Sequence, residues 1–269
     1  MTAIESAAPD LLVHRDGPVV RAVLNRPARR NAMNAGLAAA IDLLLADLAL
    51  DRTARVLVIS GAGGHFCAGL DLAEVAAGAG DPAAQQARNA AIGARFQAIA
   101  GLPQIVIASV QGAAHAGGLG LVCAADIALA DASARFCAPE VRRGLVPAQI
   151  LPWLVRRTGR SAAARMVLQG HVMDAAEAGA AGLVHAVLPD DAALAATLDR
   201  VIGDALQAAP GAIAETKALL AALGPVAPPA YAALGAAAFA RTAAGPEAAE
   251  GIAAFREKHS PVWTAGETK

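Results

Sequence analysis

The stretch from Val110 to Glu140, VQGAAHAGGLGLVCAADIALADASARFCAPE, decides the fold and locates the functional site. It places glycines at 117, 118 and 120 in an apolar setting, with Glu140 at its end. Because glycine has no Cβ, a ligand can approach the backbone closely at Gly117 and Gly118. A short helix beginning there would aim free N–H groups and the positive end of its dipole at that ligand. The stretch therefore predicts an anion site beside a carboxylate.

A second glycine-rich loop, GAGGHFCAGLDL at Gly61–Leu72, lies upstream and follows the strand-like run Arg55–Ser60. Its small residues leave the backbone open to a ligand. Two such loops can each offer an N–H group to one oxygen. If that oxygen belongs to a thioester carbonyl, it gains charge as an enolate forms, and each fixed donor stabilises it by roughly 3 to 4 kcal/mol. The two loops together predict an oxyanion hole.

Composition excludes several classes of protein. The chain has 269 residues, 56% of them hydrophobic and 17% charged, with a formal net charge of −1. We expect a large α/β core and no global field that would recruit nucleic acid or an anionic membrane. The N-terminus shows no export signal and the three cysteines form no C-x-x-C pair, which favours a cytoplasmic protein with reduced thiols. No histidine has a second ligand at i+4, so we predict no metal site.

Strands and helices alternate up to Glu140, and helices dominate after it. The first part predicts a hairpin at 11–24, helices at 34–50, 82–100 and from 117, and strands at 55–60, 105–110 and 126–130. The second part predicts helices at 147–158, 161–169, 174–181, 190–209, 210–222, 231–241 and 246–258, with one strand at 183–188. Residues 105–125 carry no formal charge. We interpret them as a buried strand, loop and helix and not as a membrane span.

Several separated motifs carry a resemblance to a known family. They are FCAGLDL, GGLGL followed by AADIALA, Pro139-Glu140, Asn25-Arg26-Pro27, Asn31-Ala32-Met33, and EGIAAFREKHSPVW at 250–263. Taken in their order along the chain, these motifs resemble those of the crotonase superfamily of enoyl-CoA hydratases and isomerases, and they cover nearly the whole chain. The resemblance implies an α/β spiral of ββα units in residues 1–200, and a C-terminal helical region, 201–269, for trimerisation and completion of the CoA site. It also implies an acyl-CoA substrate and a homotrimer or dimer of trimers.

The resemblance assigns roles to individual residues. The backbone N–H groups of Ala68 and Gly117 become the oxyanion donors, and Glu140 the general acid/base. The implied CoA and substrate contacts are Arg26, Ala28, Ala68, Gly69, Leu70, Asp71, Leu72, Gly118, Gly120, Phe255 and Lys258. Coenzyme A arrives as part of the substrate, so no separate cofactor is expected. Taken singly, basic residues on polar loops are more often only solvated.

Two side chains near the glycines have competing interpretations. Burial in an apolar cleft would raise the pKa of Glu140 and suit it to proton transfer. Alternatively, Glu140 is a glutamate placed after Pro139 because the helix dipole favours it there. His115 could position water, or it could be a hydrogen-bonded core histidine.

Gly120 occupies the position where the resembling hydratases commonly carry a second catalytic glutamate. Three functions remain open: a hydratase that holds water differently, a one-base Δ3,Δ2-enoyl-CoA isomerase, and a non-catalytic acyl-CoA-binding trimer. The segment 136–159 resembles methylglutaconyl-type and isohexenylglutaconyl-type CoA hydratases, which also lack this glutamate, and this favours a hydratase. If the substrate carries a distal carboxylate, Arg142 or Arg143 could pair with it, although solvation of both is the simpler interpretation.

Overall fold

The computed structural model describes residues 9–71, 82–223 and 245–264, and it opens on a hairpin. Strand β1 (Leu11–Asp16) pairs antiparallel with β2 (Val19–Leu24). The turn between them contains Gly17 at φ +52°, a left-handed conformation that glycine adopts without strain. The hairpin predicted from Asp16-Gly17 is therefore confirmed.

Two sheets form the core. The first has six strands in the order β1-β2-β3-β4-β6-β9, and all neighbours from β2 onward are parallel. The second has three strands in the order β5-β7-β8. The remaining strands are β3 (Val56–Gly61), β4 (Ile105–Val110), β5 (Ala113–His115), β6 (Ile127–Asp131), β7 (Arg135–Cys137), β8 (Val172–Asp174) and β9 (Ala186–Leu188).

Each helix follows one or more strands along the chain or, toward the C-terminus, another helix. They are α1 (Ala35–Leu50), α2 (Pro82–Gly101), α3 (Gly117–Ala124), α4 (Leu151–Gln169), α5 (Ala175–Ala180), α6 (Asp191–Leu206), α7 (Pro210–Ala222) and α8 (Pro246–Glu257). The run β4-β5-α3 places one strand in each sheet before its helix, and β6-β7-α4 repeats this arrangement. The α/β spiral of ββα units predicted above is confirmed. Asn34 caps α1, as expected, by accepting from the Leu37 N–H at 2.8 Å.

Alternation along β3 separates two apolar layers. Leu57 and Ile59 face the main core, which α1, α2 and α3 cover, whereas Val56 and Val58 face α6. Leu194, Leu198 and Ile202 form the buried stripe of α6 on that second face. The predicted boundary after residue 200 would cut this stripe, so the whole of α6 belongs with the core.

The structure departs from the predicted elements in two places, and one further prediction cannot be compared with it. Helix α4 runs through both predicted helices, with a break at Gly159, where φ is 73°. The short strands of the second sheet were not predicted. The helix expected at 231–241 lies outside the described residues. Residues 105–125 form the predicted buried strand (β4) and helix (α3), with the short strand β5 in the segment that was expected to be a loop. Within the described ranges, no helix is both long and apolar enough to cross a bilayer.

Candidate active site

Helix α3 is held at its C-terminal end so that its first turn faces the loops. The half-buried guanidinium of Arg157 donates to the carbonyls of Val122 at 3.0 Å and Ala125 at 2.7 Å. A cation there satisfies carbonyls that the helix leaves without partners. At the other end, Ala116 has φ 48° and ψ −118°, and its N–H donates to the Cys137 carbonyl at 2.8 Å. This change of chain direction at Ala116 exposes the N–H groups of the first turn of α3 toward the loops.

The three glycines of α3 have different surroundings. A Cβ at Gly117 would meet nothing within 4 Å, so this residue borders open space. A Cβ at Gly118 would lie 2.4 Å from the Cys67 carbonyl oxygen, and both Gly118 and Gly120 are buried. Gly117 is therefore placed to contact a ligand. Gly118 and Gly120 instead allow close packing inside the protein, and the substrate contacts expected of them stay predictions.

The other loop corrects the assignment of Ala68. Its N–H donates to the Arg30 carbonyl at 2.9 Å and is not available to a substrate. The backbone pairing of Met33 with Gly69 and Asp71 leaves the N–H of Leu70, two residues after Ala68, without a partner among the described residues. The Met33 N–H donates to the Gly69 carbonyl at 2.7 Å, and the Asp71 N–H donates to the Met33 carbonyl at 2.9 Å. Because N–H directions alternate along an extended chain, the N–H of Leu70 points away from Met33.

The loop and helix α3 meet at Gly69. This residue has φ +96°, and a Cβ on it would lie 2.8 Å from the Ala116 Cβ and 3.1 Å from the His115 carbonyl oxygen. The N–H groups of Leu70 and Gly117 thus lie on either side of this contact. Among the described residues, neither N–H has a protein acceptor. Two free donors from two loops match what an oxyanion hole requires, with Leu70 where Ala68 was expected, and the hole itself stays a prediction.

Glu140 begins a 3₁₀ helix, Glu140–Arg143, directly after Pro139. β5 pairs with β7, and His115 lies opposite Cys137. This pairing brings the 3₁₀ helix close to the N-terminal end of α3. The Glu140 Oε2 is buried and has no hydrogen-bond partner. Burial raises the pKa of the Glu140 carboxyl above its ordinary 4.5, while its own backbone N–H and the charge of Arg143 act in the opposite direction.

His115 carries the second unpartnered atom of this region. Its Nε2 is buried without a hydrogen bond. Burial lowers the pKa of His115, and the positive charges of Arg143 and Arg30 and the neighbouring His65 lower it further. The imidazole is therefore neutral near pH 7. Within the described residues only one other buried side-chain polar atom lacks a partner, Oε1 of Gln104.

An aromatic ring fills the space beside Gly120. A Cβ added to this glycine would lie 2.1 Å from Cζ, 2.5 Å from Cε2 and 2.8 Å from Cε1 of Phe96. Phe96, on α2, is 1% exposed. Position 120 therefore supplies no carboxylate, and the ring occupies the space into which a side chain there would extend. No sequence signal connects Phe96 to this position, because the contact joins two separate helices.

Arg26 and Asp71 stabilise the protein internally. Arg26 Nη2 lies 3.1 Å from Asp71 Oδ2, and both side chains are 16% exposed. Arg26 also donates to the Ala32 carbonyl. This pair joins the loop after β2 to the loop after β3 and engages both side chains, and the CoA contacts expected of Arg26 and Asp71 stay predictions. Ala28 is exposed and Leu70 is 39% exposed, whereas Leu72 lies outside the described residues.

The C-terminal segment lies at the opposite end of β3 from the two loops. Arg55, which precedes β3, donates to the Trp263 carbonyl at 3.2 Å. Six strand residues, roughly 20 Å, separate this contact from the loop that begins at Gly61. The backbone of Phe255 lies in α8, and the exposed Lys258 ends that helix at φ 59°. The CoA contacts expected of Phe255 and Lys258 stay predictions.

The three cysteines act as core residues. All are free and buried. Burial raises the pKa of Cys67 to about 11 and that of Cys123 to about 12, and it also raises the pKa of Cys137. Thiols with raised pKa values are poor nucleophiles. No group of three or more possible metal ligands occurs in the part of the chain that the structure describes.

Comparison with known proteins agrees with this geometry. The profile of the enoyl-CoA hydratase/isomerase family matches residues 15–266. The chain belongs to this family. It is 35% identical over 254 residues to 2,3-dehydroadipyl-CoA hydratase of Escherichia coli, covering 94% of this chain and 97% of the relative.

Solved structures of the enoyl-CoA hydratase/isomerase family have the same fold. A structure from Marinobacter aquaeolei, described as an enoyl-CoA hydratase/isomerase, superposes with a TM-score of 0.92 at 36% identity over 96% of this chain and 100% of that one. Pseudomonas aeruginosa AtuE gives 0.92 at 39% identity, covering 95% and 99%. The predicted family, fold and enzyme class are confirmed: the chain is an enzyme of the enoyl-CoA hydratase family.

Proposed function

We propose that the enzyme adds water across the 2,3 double bond of an enoyl-CoA thioester with a single carboxylate. The observation that carries this proposal is the combination of two free N–H groups, at Leu70 and Gly117, with the unpartnered Oε2 of Glu140. The N–H groups bind the thioester oxygen. Glu140 exchanges a proton with water and with carbon 2.

The proton balance needs one residue. As the water oxygen bonds to carbon 3, a water proton moves to Glu140 and the double-bond electrons pass to the thioester oxygen. The resulting enolate is stabilised by the two donors, at roughly 3 to 4 kcal/mol each. Collapse of the enolate takes the proton from Glu140 to carbon 2. The product is a 3-hydroxyacyl-CoA, and Glu140 is again a carboxylate.

His115 supplies the second contact to the water in this proposal. Phe96 fills the space beside Gly120, so a carboxylate from that position is not available to orient the nucleophile. A neutral imidazole can accept from the water or donate to it, according to its tautomer. The unpartnered Nε2 supports this role. The buried Oε2 of Glu140 then holds the same water from the other side.

The remaining expectations also belong to the proposal. The name of 2,3-dehydroadipyl-CoA hydratase describes the substrate of a relative and suggests a six-carbon dicarboxylic acyl group here. Coenzyme A is carried by the substrate, and we expect no further cofactor. We also expect a cytoplasmic homotrimer or dimer of trimers, in which Phe255 and Lys258 reach the cleft of a neighbouring subunit. The contact of Arg55, at the far end of β3 from the cleft, with the Trp263 carbonyl is the structural observation that supports that arrangement.

Purified wild type and Glu140→Gln should be assayed with crotonyl-CoA and 2,3-dehydroadipyl-CoA, with products identified by mass. We expect hydrated product from wild type and a loss of at least about 100-fold in the variant. Gln104→Leu is the control because it removes the other unpartnered polar atom, at the start of β4 and away from the cleft. It also removes the two hydrogen bonds that Gln104 Nε2 donates to the Leu48 and Asp51 carbonyls, so its folding is checked by circular dichroism. Hydration that persists in Glu140→Gln would refute the assigned role.

The single carboxylate also favours a second function, Δ3,Δ2-enoyl-CoA isomerisation. That reaction moves one proton from carbon 2 to carbon 4 and needs no bound water. A 3-enoyl-CoA substrate in deuterium oxide separates the two functions. An isomerase forms the 2-enoyl-CoA and stops there, whereas a hydratase converts crotonyl-CoA with the net gain of one water.

A further inference from the structure

Arg143 lies one 3₁₀ turn from Glu140. Residues at i and i+3 of a 3₁₀ helix share one face, so the two side chains project from the same side of Glu140–Arg143. The charge of Arg143 reaches the cleft, since it lowers the pKa of both Glu140 and His115. Arg143 is therefore the cation of this helix that faces the reacting groups.

The guanidinium of Arg143 is available. It is exposed and, among the described residues, has no hydrogen-bond or ion-pair partner. Its neighbour Arg142 is committed elsewhere: Nε donates to the Gln169 carbonyl at 2.8 Å, and the side chain packs on Gly170. The alternative predicted for Arg142 is therefore excluded. An unpartnered arginine beside an active site fits an anionic ligand group, because its planar fork binds a carboxylate through two parallel hydrogen bonds.

We propose that Arg143 binds the distal carboxylate of a dicarboxylic enoyl-CoA and selects such substrates over monocarboxylic ones. The inference rests on the proposed hydratase function. Three residues of 3₁₀ helix rise roughly 6 Å, a span that three carbon–carbon bonds and a hydrogen bond also cover. With carbons 2 and 3 beside Glu140, the terminal carboxylate of a six-carbon acyl group thus reaches Arg143. The phosphates of CoA are a second source of negative charge, and they are common to every acyl-CoA.

The test compares two substrates that differ only at the far end of the acyl group, 2,3-dehydroadipyl-CoA and hex-2-enoyl-CoA. For each, kcat/KM is measured in wild type, Arg143→Gln, Arg143→Lys and the control Arg142→Gln. The ratio of the two kcat/KM values is the readout, because it cancels any effect of Arg143 on Glu140 that is the same for both substrates. We expect Arg143→Gln to lower the ratio about 10- to 100-fold, with partial recovery in Arg143→Lys and less than about a twofold change in Arg142→Gln.

Two results would overturn the inference, and they differ from failure of the hydratase proposal. An equal fall on both substrates would mean that Arg143 serves a common part, such as the CoA phosphates or Glu140. An unchanged ratio would mean that the exposed guanidinium is only solvated. If wild type hydrates neither substrate, the proposed function itself fails and the inference fails with it.

Discussion

Replacing Gly120 by alanine should destabilise the protein, although glycine is a poor residue for a helix. In a free helix the change would stabilise by up to about 1 kcal/mol. Here the new methyl would lie within 3.0 Å of three ring atoms of Phe96, which is 1% exposed and cannot move outward. Overpacking of a buried site costs about 1 to 3 kcal/mol, and three contacts this short favour the upper part of that range. We expect a net loss of about 1 to 2 kcal/mol.

The sign of the effect should reverse once the ring is removed. Phe96→Ala alone costs about 3 to 5 kcal/mol because it leaves a cavity. In that background the methyl at position 120 meets no ring, so Gly120→Ala should stabilise by about 0.5 to 1 kcal/mol through helix propensity. The coupling between the two sites is then about 1.5 to 3 kcal/mol, within the range of directly packed residues.

Urea denaturation followed by circular dichroism, at one fixed protein concentration, measures the four free energies of unfolding. Gly101→Ala is the matched control, since it also lies at a helix position and a Cβ there meets nothing within 4 Å. If Gly120→Ala changes stability equally with and without Phe96, the ring does not fill this space. The explanation of why no side chain fits at position 120 would then lose its structural basis.

Three further predictions concern the cleft. Glu140→Gln should raise the thermal midpoint, and by more at pH 8 than at pH 5. Because the pKa of Glu140 is raised in the folded state, the wild type is destabilised by a buried charge above that pKa and regains this stability as the pH falls. The variant is neutral at both pH values and has no such dependence. An equal difference at both pH values would contradict this. His115→Phe should lower kcat for hydration about 10- to 100-fold with KM nearly unchanged, because it removes Nε2 but keeps the bulk of the ring; steady-state kinetics that show only a KM effect would exclude a water contact. Gly117→Ala should keep the thermal midpoint but lower kcat/KM, because a Cβ there extends into open space at the cleft. Gly118→Ala should lower the thermal midpoint, because its Cβ would lie 2.4 Å from the Cys67 carbonyl oxygen, and the same pattern in both variants would contradict the different surroundings given to the two glycines.

Elements with local signals are predictable from the sequence. Asp16-Gly17 specifies the hairpin, and Asn34 with its apolar spacing specifies α1. The strands of the second sheet span only three residues each, too few to show a period of two. Their pairing depends on contacts between successive turns of the spiral. The break at Gly159 is local as well, and the sequence predicts it as a boundary between two helices.

The residues of the site show the same difference between local sequence signals and contacts with distant parts of the chain. Gly117 and Glu140 are predictable because a glycine-led helix and a carboxylate after a proline both leave marks in nearby residues. Which N–H is free in the other loop is decided by Met33, far away in the chain, whose two backbone hydrogen bonds orient Gly69 and Asp71 and leave Leu70 facing the cleft. A sequence pattern cannot distinguish Ala68 from Leu70 without that partner.

The charges of the cleft connect substrate choice with catalysis. Burial raises the pKa of Glu140, and the unpartnered Arg143 opposes this. A substrate carboxylate held by Arg143 neutralises the opposing charge when the acyl group is in place. The pKa of Glu140 then rises, which makes its carboxylate a stronger base toward the bound water. The residue that recognises a dicarboxylic substrate thereby also strengthens the base for that substrate, and a monocarboxylic acyl group, which leaves Arg143 charged and unpaired, gains no such effect.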